Sequence, residues 1–135
     1  MTPRRPIPSL RHALALVAGC ILALMSGLAA AQSQRTFVAS YGDDASASCS
    51  LALPCRSFNA AIAKTNPNGE VIILDTAGYG PMTITKALKV IGPAGVYGGI
   101  SVITAGSTGV TINAGNSDVV ILRGLDVSGL GGQYG

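Results

Sequence analysis

The chain contains no tryptophan and a single histidine, His12. That histidine lies in an N-terminal stretch that reads as a removable leader, so the remainder has no imidazole. Ser-His-Asp and Cys-His catalysis are thereby excluded for the processed chain, because both need a histidine as base. Charge is also scarce. Nine Lys and Arg stand against six Asp and Glu, but Arg4, Arg5 and Arg11 belong to the leader. Six then balance six, and a near-neutral chain offers no basic patch to nucleic acid. Only three cysteines occur. With Cys20 in the leader, the two that remain are too few soft ligands for structural zinc without histidine.

What is present begins with an address. The three arginines precede an apolar run over Ala13–Ala31, which ends in Leu28-Ala29-Ala30-Ala31. Small residues followed by the polar Gln32-Ser33-Gln34-Arg35 suit a signal peptidase, with the cut between Ala31 and Gln32. Three other readings compete. The run approaches the length of an uncleaved membrane anchor. Val17-Ala18-Gly19-Cys20 has the form of a lipidation site, although the apolar run continues through Ile21–Met25. Arg4-Arg5 suggests twin-arginine export, but Pro3 and Pro6 flank it and the rest of that pattern is missing. Cleavage is the favoured reading. It implies a periplasmic or extracellular protein, with no membrane attachment after processing. In that oxidising setting Cys49 and Cys55, with five residues between them, are expected to form a disulfide. So short a loop stabilises by about 2 kcal/mol on the chain-entropy account.

Along the processed chain, Thr36-Phe37-Val38-Ala39 reads as a strand and Ser40–Ser48 as a polar loop around Gly42-Asp43-Asp44. One helix is expected over Pro54–Thr65. Ser57 is its N-cap, and Phe58, Ala61, Ile62 and Thr65 form one narrow apolar face. Asn66-Pro67-Asn68-Gly69 ends it with turn chemistry. Seven short apolar segments follow: Val71–Leu74, Met82–Ile84, Leu88–Ile91, Ile100–Ile103, Val110–Ile112, Val119–Leu122 and Leu125–Val127. Nothing there has helical length or period. Several segments alternate with a period of two, burying one face.

The triplets starting at Leu88, Val110 and Leu125 suggest a loose repeat at intervals of 22 and 15 residues. A propeller or sandwich also yields short strands at such spacing. A parallel solenoid is favoured because the strands are very short and no Asn-Gly-type hairpin turn joins them. At Arg123-Gly124 the inward phase passes from Val120 and Leu122 to Leu125 and Val127. The opposite phase, Val119 and Ile121, stays open.

These residues carry a resemblance. FVAS, then YGDD, then PCRSFNAAIAKTNPNGEVIILDTAGYG, with Gly78-Tyr79 at its end, resembles the N-terminal cap of exported bacterial right-handed parallel β-helix proteins of the pectate-lyase-like superfamily. LRGLDVSG resembles one of their rungs. The likeness spans nearly all of residues 36–132. It implies a mostly β, right-handed parallel β-helix with a small N-terminal cap containing one short α-helix. The expected division is a signal peptide over 1–31, the cap over 32–70 and the first rungs over 71–135, with the solenoid incomplete at its C-terminal end. An open end implies self-association as one kind of partner. The superfamily includes lyases, hydrolases, phage-tail and adhesin-like proteins, so the fold alone does not give an activity.

A lyase of this kind would need clustered carboxylates for calcium and an Arg or Lys base. The candidates are Asp75, Asp118 and Asp126, with Lys86, Lys89 or Arg123 as base. Asp43-Asp44 is a second calcium candidate in the cap, although acidic pairs in such loops usually form Asx turns. A glycosidase needs two carboxyls some 5–10 Å apart, and nothing in the sequence singles out such a pair. Gly78-Tyr79-Gly80 and Gly95–Gly99 lack the features of phosphate loops. Tyr79, Tyr97 and Tyr134 are candidates to stack on sugar rings, with packing as the ordinary alternative. No residue qualifies as catalytic. The expectation is a non-catalytic exported protein, for surface or polysaccharide interaction, without cofactor. Its alternative is the N-terminal part of a polysaccharide lyase or hydrolase with catalytic rungs beyond residue 135.

Overall fold

The computed structural model describes residues 32–129. The leader, Cys20, Ala31 and Tyr134 lie outside these residues. Strand β1 (Ser33–Val38) opens the fold, followed by the disulfide loop and the helix α1 (Phe58–Lys64). The remaining strands are β2 (Thr65–Ile73), β3 (Ala77–Gly78), β4 (Met82–Ile84), β5 (Leu88–Ile91), β6 (Gly98–Ser101), β7 (Val110–Ile112), β8 (Val120–Arg123) and β9 (Leu125–Ser128).

These strands form three sheets, ordered β1-β2-β5-β8, β3-β6-β9 and β4-β7, and every pairing between them is parallel. From β2 onward the chain visits the first, second and third sheets in turn and then repeats that order. Parallel neighbours cannot be joined by a tight hairpin, which accounts for the missing Asn-Gly turns.

The repeat is not the one the triplets suggest. β5, β7 and β9 carry those triplets, and they belong to the first, third and second sheets. The true stacking partners in the first sheet are Val71, Val90 and Leu122. Nineteen residues separate the first two and 32 the last two. Similar triplets recur because every strand has one face turned inward, not because those three strands stack.

Inward positions form ladders. Thr36, Val71 and Val90 are fully buried, and Leu88 is nearly so. Val120 and Leu122 continue the ladders and pack against the core. Val119 is 65% exposed, which decides the phase left open in the sequence. Leu125 also packs on the core, so the inward face passes across the Arg123-Gly124 bend at that residue, whereas Val127, expected to share the phase, is 39% exposed. Gly124 has φ 65°, and a Cβ there would meet the Gly92 carbonyl oxygen at 2.7 Å. The bend is therefore a corner stacked directly on the previous corner. Gly92 N–H donates to the Arg123 carbonyl at 2.8 Å.

Toward the end of the described residues the burial fades. Met82 and Ile84 are buried, but Ile112, opposite Ile84, is 51% exposed. β7, β8 and β9 each stand last in their sheets among the described residues. At the other end α1 covers the core. Ser57 accepts the Ala60 N–H as N-cap, satisfying one of the free donors of the first turn. Phe58, Ala61 and Ile62 are buried as the apolar spacing requires.

The helix is shorter than Pro54–Thr65, because Thr65 is already extended and starts β2. Asn66-Pro67-Asn68-Gly69 is a bulge within that strand. Ser33 pairs with Thr65 and Arg35 with Glu70, so several residues of β2 loop out opposite Gln34. Asn68 takes the left-handed conformation, φ 63°, as asparagine tolerates. The buried Thr65 hydroxyl donates to the Ala61 carbonyl at 2.7 Å and stands 2.8 Å from the Thr36 hydroxyl. That exchange lets two polar side chains sit inside the core without an orphan proton.

Candidate binding groove in the disulfide loop

The exposed edge of β1 does not remain open. Phe37 N–H donates to the Cys49 carbonyl at 2.8 Å, Cys55 N–H to Phe37 at 2.9 Å, and Ala39 N–H to Cys55 at 3.0 Å. The loop carrying the two cysteines thus covers a strand edge that would otherwise invite pairing. The expected Cys49–Cys55 disulfide is present, and both cysteines are fully buried.

The loop folds back on itself through a further set of bonds. Asp43 N–H donates to Pro54 at 2.9 Å. The Ser46 hydroxyl donates to the Leu53 carbonyl at 2.7 Å and accepts from Cys49 N–H at 3.2 Å. Gly42 lies so close that a Cβ would stand 2.2 Å from the Cys55 carbonyl oxygen.

Between the two limbs of this loop lies a groove of about 470 Å³, lined by Tyr41, Asp43, Ala45, Ala47, Leu53 and Pro54 among others. The size falls within the range of small-ligand sites. Tyr41 and Leu53 are 71% and 67% exposed. Among the described residues, Asp43 is the only charged side chain in the lining. Tyr41 is absent from the tyrosines that the sequence singles out. Its available signal was its place beside Gly42-Asp43, next to a cysteine-closed loop.

The predicted stacking residues fare differently. Tyr79 is buried; its ring lies 5.2 Å from that of Phe58, and its hydroxyl donates to the Asp75 carbonyl oxygen at 2.6 Å and to the Asp75 carboxylate. Tyr97 is exposed, immediately before β6.

The calcium candidates are dispersed. Asp75 accepts from Ser40 N–H at 2.9 Å and from the Ser40 hydroxyl. Burial opposes its charge, but the Ser40 and Tyr79 donors outweigh that and hold its carboxyl below the ordinary range. Burial and the bonds to Asp75 push the Tyr79 phenol well upward. Asp118 accepts from Gly115 N–H at 2.8 Å in its own turn. Asp126 sits in β9 opposite Gly99. Among the described residues no three His, Cys, Asp or Glu side chains converge as a metal would require.

The proposed bases are equally scattered. The Lys86 ammonium is held by the Thr65 carbonyl, and burial lowers its pKa. Lys89 stands 3.2 Å from Glu70, which Arg35 approaches to 2.7 Å from the other side. Arg123 ends β8, opposite Ile91.

In the loop after β1, Asp43 and Asp44 have separate tasks. Asp43 accepts from Ala45 N–H at 2.9 Å, an Asx turn. Asp44 accepts from the N–H groups of Arg56 and Ser57, both at 2.8 Å, at the entrance to α1. Burial works against its charge, but the donors of Ser57 and Arg56, with Lys64 nearby, hold its pKa down. Arg56, not singled out as a site residue in the sequence, donates to the Gly78 carbonyl at 2.8 Å and lies 5.7 Å over the Tyr79 ring.

No family model matches this chain, and no curated protein and no solved structure is significantly similar to it. Among the described residues no helix is long and apolar enough to cross a membrane.

Proposed function

We propose that the chain is an exported, non-catalytic interaction module built as a right-handed parallel β-helix of the pectate-lyase-like kind, whose cap contacts glycans. The observation that carries this reading is the groove beside the disulfide, with Tyr41 exposed at its wall. An aromatic ring accepts the apolar face of a sugar, and a carboxylate accepts its hydroxyls. A groove braced by a disulfide and backbone bonds loses little entropy when a ligand enters. The cyclic order of strands in three parallel sheets supports the β-helix. The disulfide supports export, since such bonds persist in oxidising compartments.

The non-catalytic part rests on how the acidic residues are employed. Asp44, Asp75 and Asp118 are each engaged by backbone or hydroxyl donors of their own turns and junctions. Glycan retention of the purified chain and of Tyr41→Ala in affinity electrophoresis tests the reading. Retardation by at least one polysaccharide, lost in the variant, is expected. Release of unsaturated products from polygalacturonate in the presence of calcium would overturn the non-catalytic assignment.

A further inference from the structure

The same groove carries a preference in its chemistry. We infer that its ligand is a glycan bearing a free amino group, a hexosamine unit whose ammonium faces Asp43 while its ring lies on Tyr41. This inference rests on the glycan reading above and narrows it.

The lining is mostly apolar, and among the described residues Asp43 is its only charged member. One oxygen of that carboxylate is engaged by Ala45 N–H, which orients the group. Among the described residues the ion pairs within 4 Å are those of Glu70 with Arg35 and Lys89, so no side-chain cation neutralises Asp43. Among the described residues, two nearby cations make other hydrogen bonds. Lys64 donates to the Asp44 carbonyl oxygen at 2.8 Å, and Arg56 donates to Gly78. Nor does Asp44 compete for the ligand, because its carboxylate serves the entrance of α1.

The groove therefore presents an aromatic face, aliphatic walls and one uncompensated negative charge. The complement is a ring with an apolar face and one positive charge. A neutral sugar leaves the carboxylate without a counter-charge, and an anionic sugar is repelled by it.

The test compares the glucosamine hexamer, its fully N-acetylated form and a neutral glucose hexamer, titrated calorimetrically into the purified chain. The glucosamine hexamer is expected to bind roughly three- to fivefold more tightly than the other two, the scale of one solvent-accessible charge pair. The preference should shrink in about 1 M salt, where screening acts over about 3 Å. Asp43→Asn keeps the Asx-turn acceptor, and so the loop, but should erase the preference. Tyr41→Ala should weaken all three oligomers. Unchanged melting temperatures of both variants exclude a folding cause. Equal binding of the three oligomers, indifferent to Asp43→Asn, overturns the amino-sugar inference and leaves the glycan reading standing. Binding of none overturns both.

Discussion

The Tyr79 hydroxyl donates to both the carbonyl oxygen and the carboxylate of Asp75, four residues earlier in the chain. Asp75 is in turn bonded by Ser40, so one phenol ties the bend between β2 and β3 to the loop after β1. Tyr79→Phe keeps the ring against Phe58 but removes the donor. A loss of about 1–2 kcal/mol is expected, the usual cost of a partly buried hydrogen bond. Urea unfolding at neutral pH measures it.

The same pair sets opposite limits on pH. The Asp75 pKa is lowered on folding, as is that of Asp44. Their contribution is present above the unfolded carboxylate value and is lost as pH falls below about 4. The Tyr79 pKa is raised. Its contribution is present below the unfolded phenol value and is lost as pH rises above about 10. Lys86, lowered by burial, works in the other direction at that alkaline end. Thermal melts across pH should show an alkaline decline that is smaller in Tyr79→Phe than in the parent chain.

Removing the disulfide should loosen the groove before it unfolds the coil. Cys49→Ser with Cys55→Ser is expected to cost about 2 kcal/mol, the chain-entropy value for so short a loop. Hydrogen exchange should accelerate first at Asp43, Cys49 and Cys55, whose N–H groups bond within the loop or to β1. A uniform acceleration through β5 and β8 would contradict this order.

Gly124→Ala meets two obstacles. The residue has φ 65°, and its Cβ would strike the Gly92 backbone. The conformational cost and the overlap add, and a loss of about 1–3 kcal/mol is expected from overpacking alone. By contrast Gly95→Ala meets no neighbour, although its φ of 81° is also positive. A smaller loss there, by urea unfolding, would separate the corner contact from backbone strain.

Phe58, the first residue of α1, is fully buried. Phe58→Ala should cost about 3–5 kcal/mol. Near-ultraviolet dichroism should report the change, because Tyr79 loses its aromatic neighbour. An unchanged denaturation midpoint would show that α1 is not needed to close the core.

Much of the architecture is local and therefore legible in the residues. Ser57 announces the helix because only a short side-chain acceptor caps its free N–H groups. Alternation marks Met82–Ile84, Leu88–Ile91 and Val110–Ile112 as strands, and in the first two it is alternate residues that are buried. The Cys49–Cys55 disulfide follows from proximity and the expected compartment. Sequence distance cannot say which strands stack. Val71 meets Val90, and Val90 meets Leu122, across unequal corner lengths, so only the folded coil reveals that Leu88, Val110 and Leu125 belong to three different sheets. The bulge at Asn66–Gly69 resembles an ordinary turn until β1 is placed beside it. Asp75 and Asp118 look alike in the chain, yet tertiary contacts give one a phenol and a serine and the other its own turn. Tyr41 becomes a candidate only when the closed disulfide loop places it beside Asp43, because a groove is a property of surfaces brought together by folding.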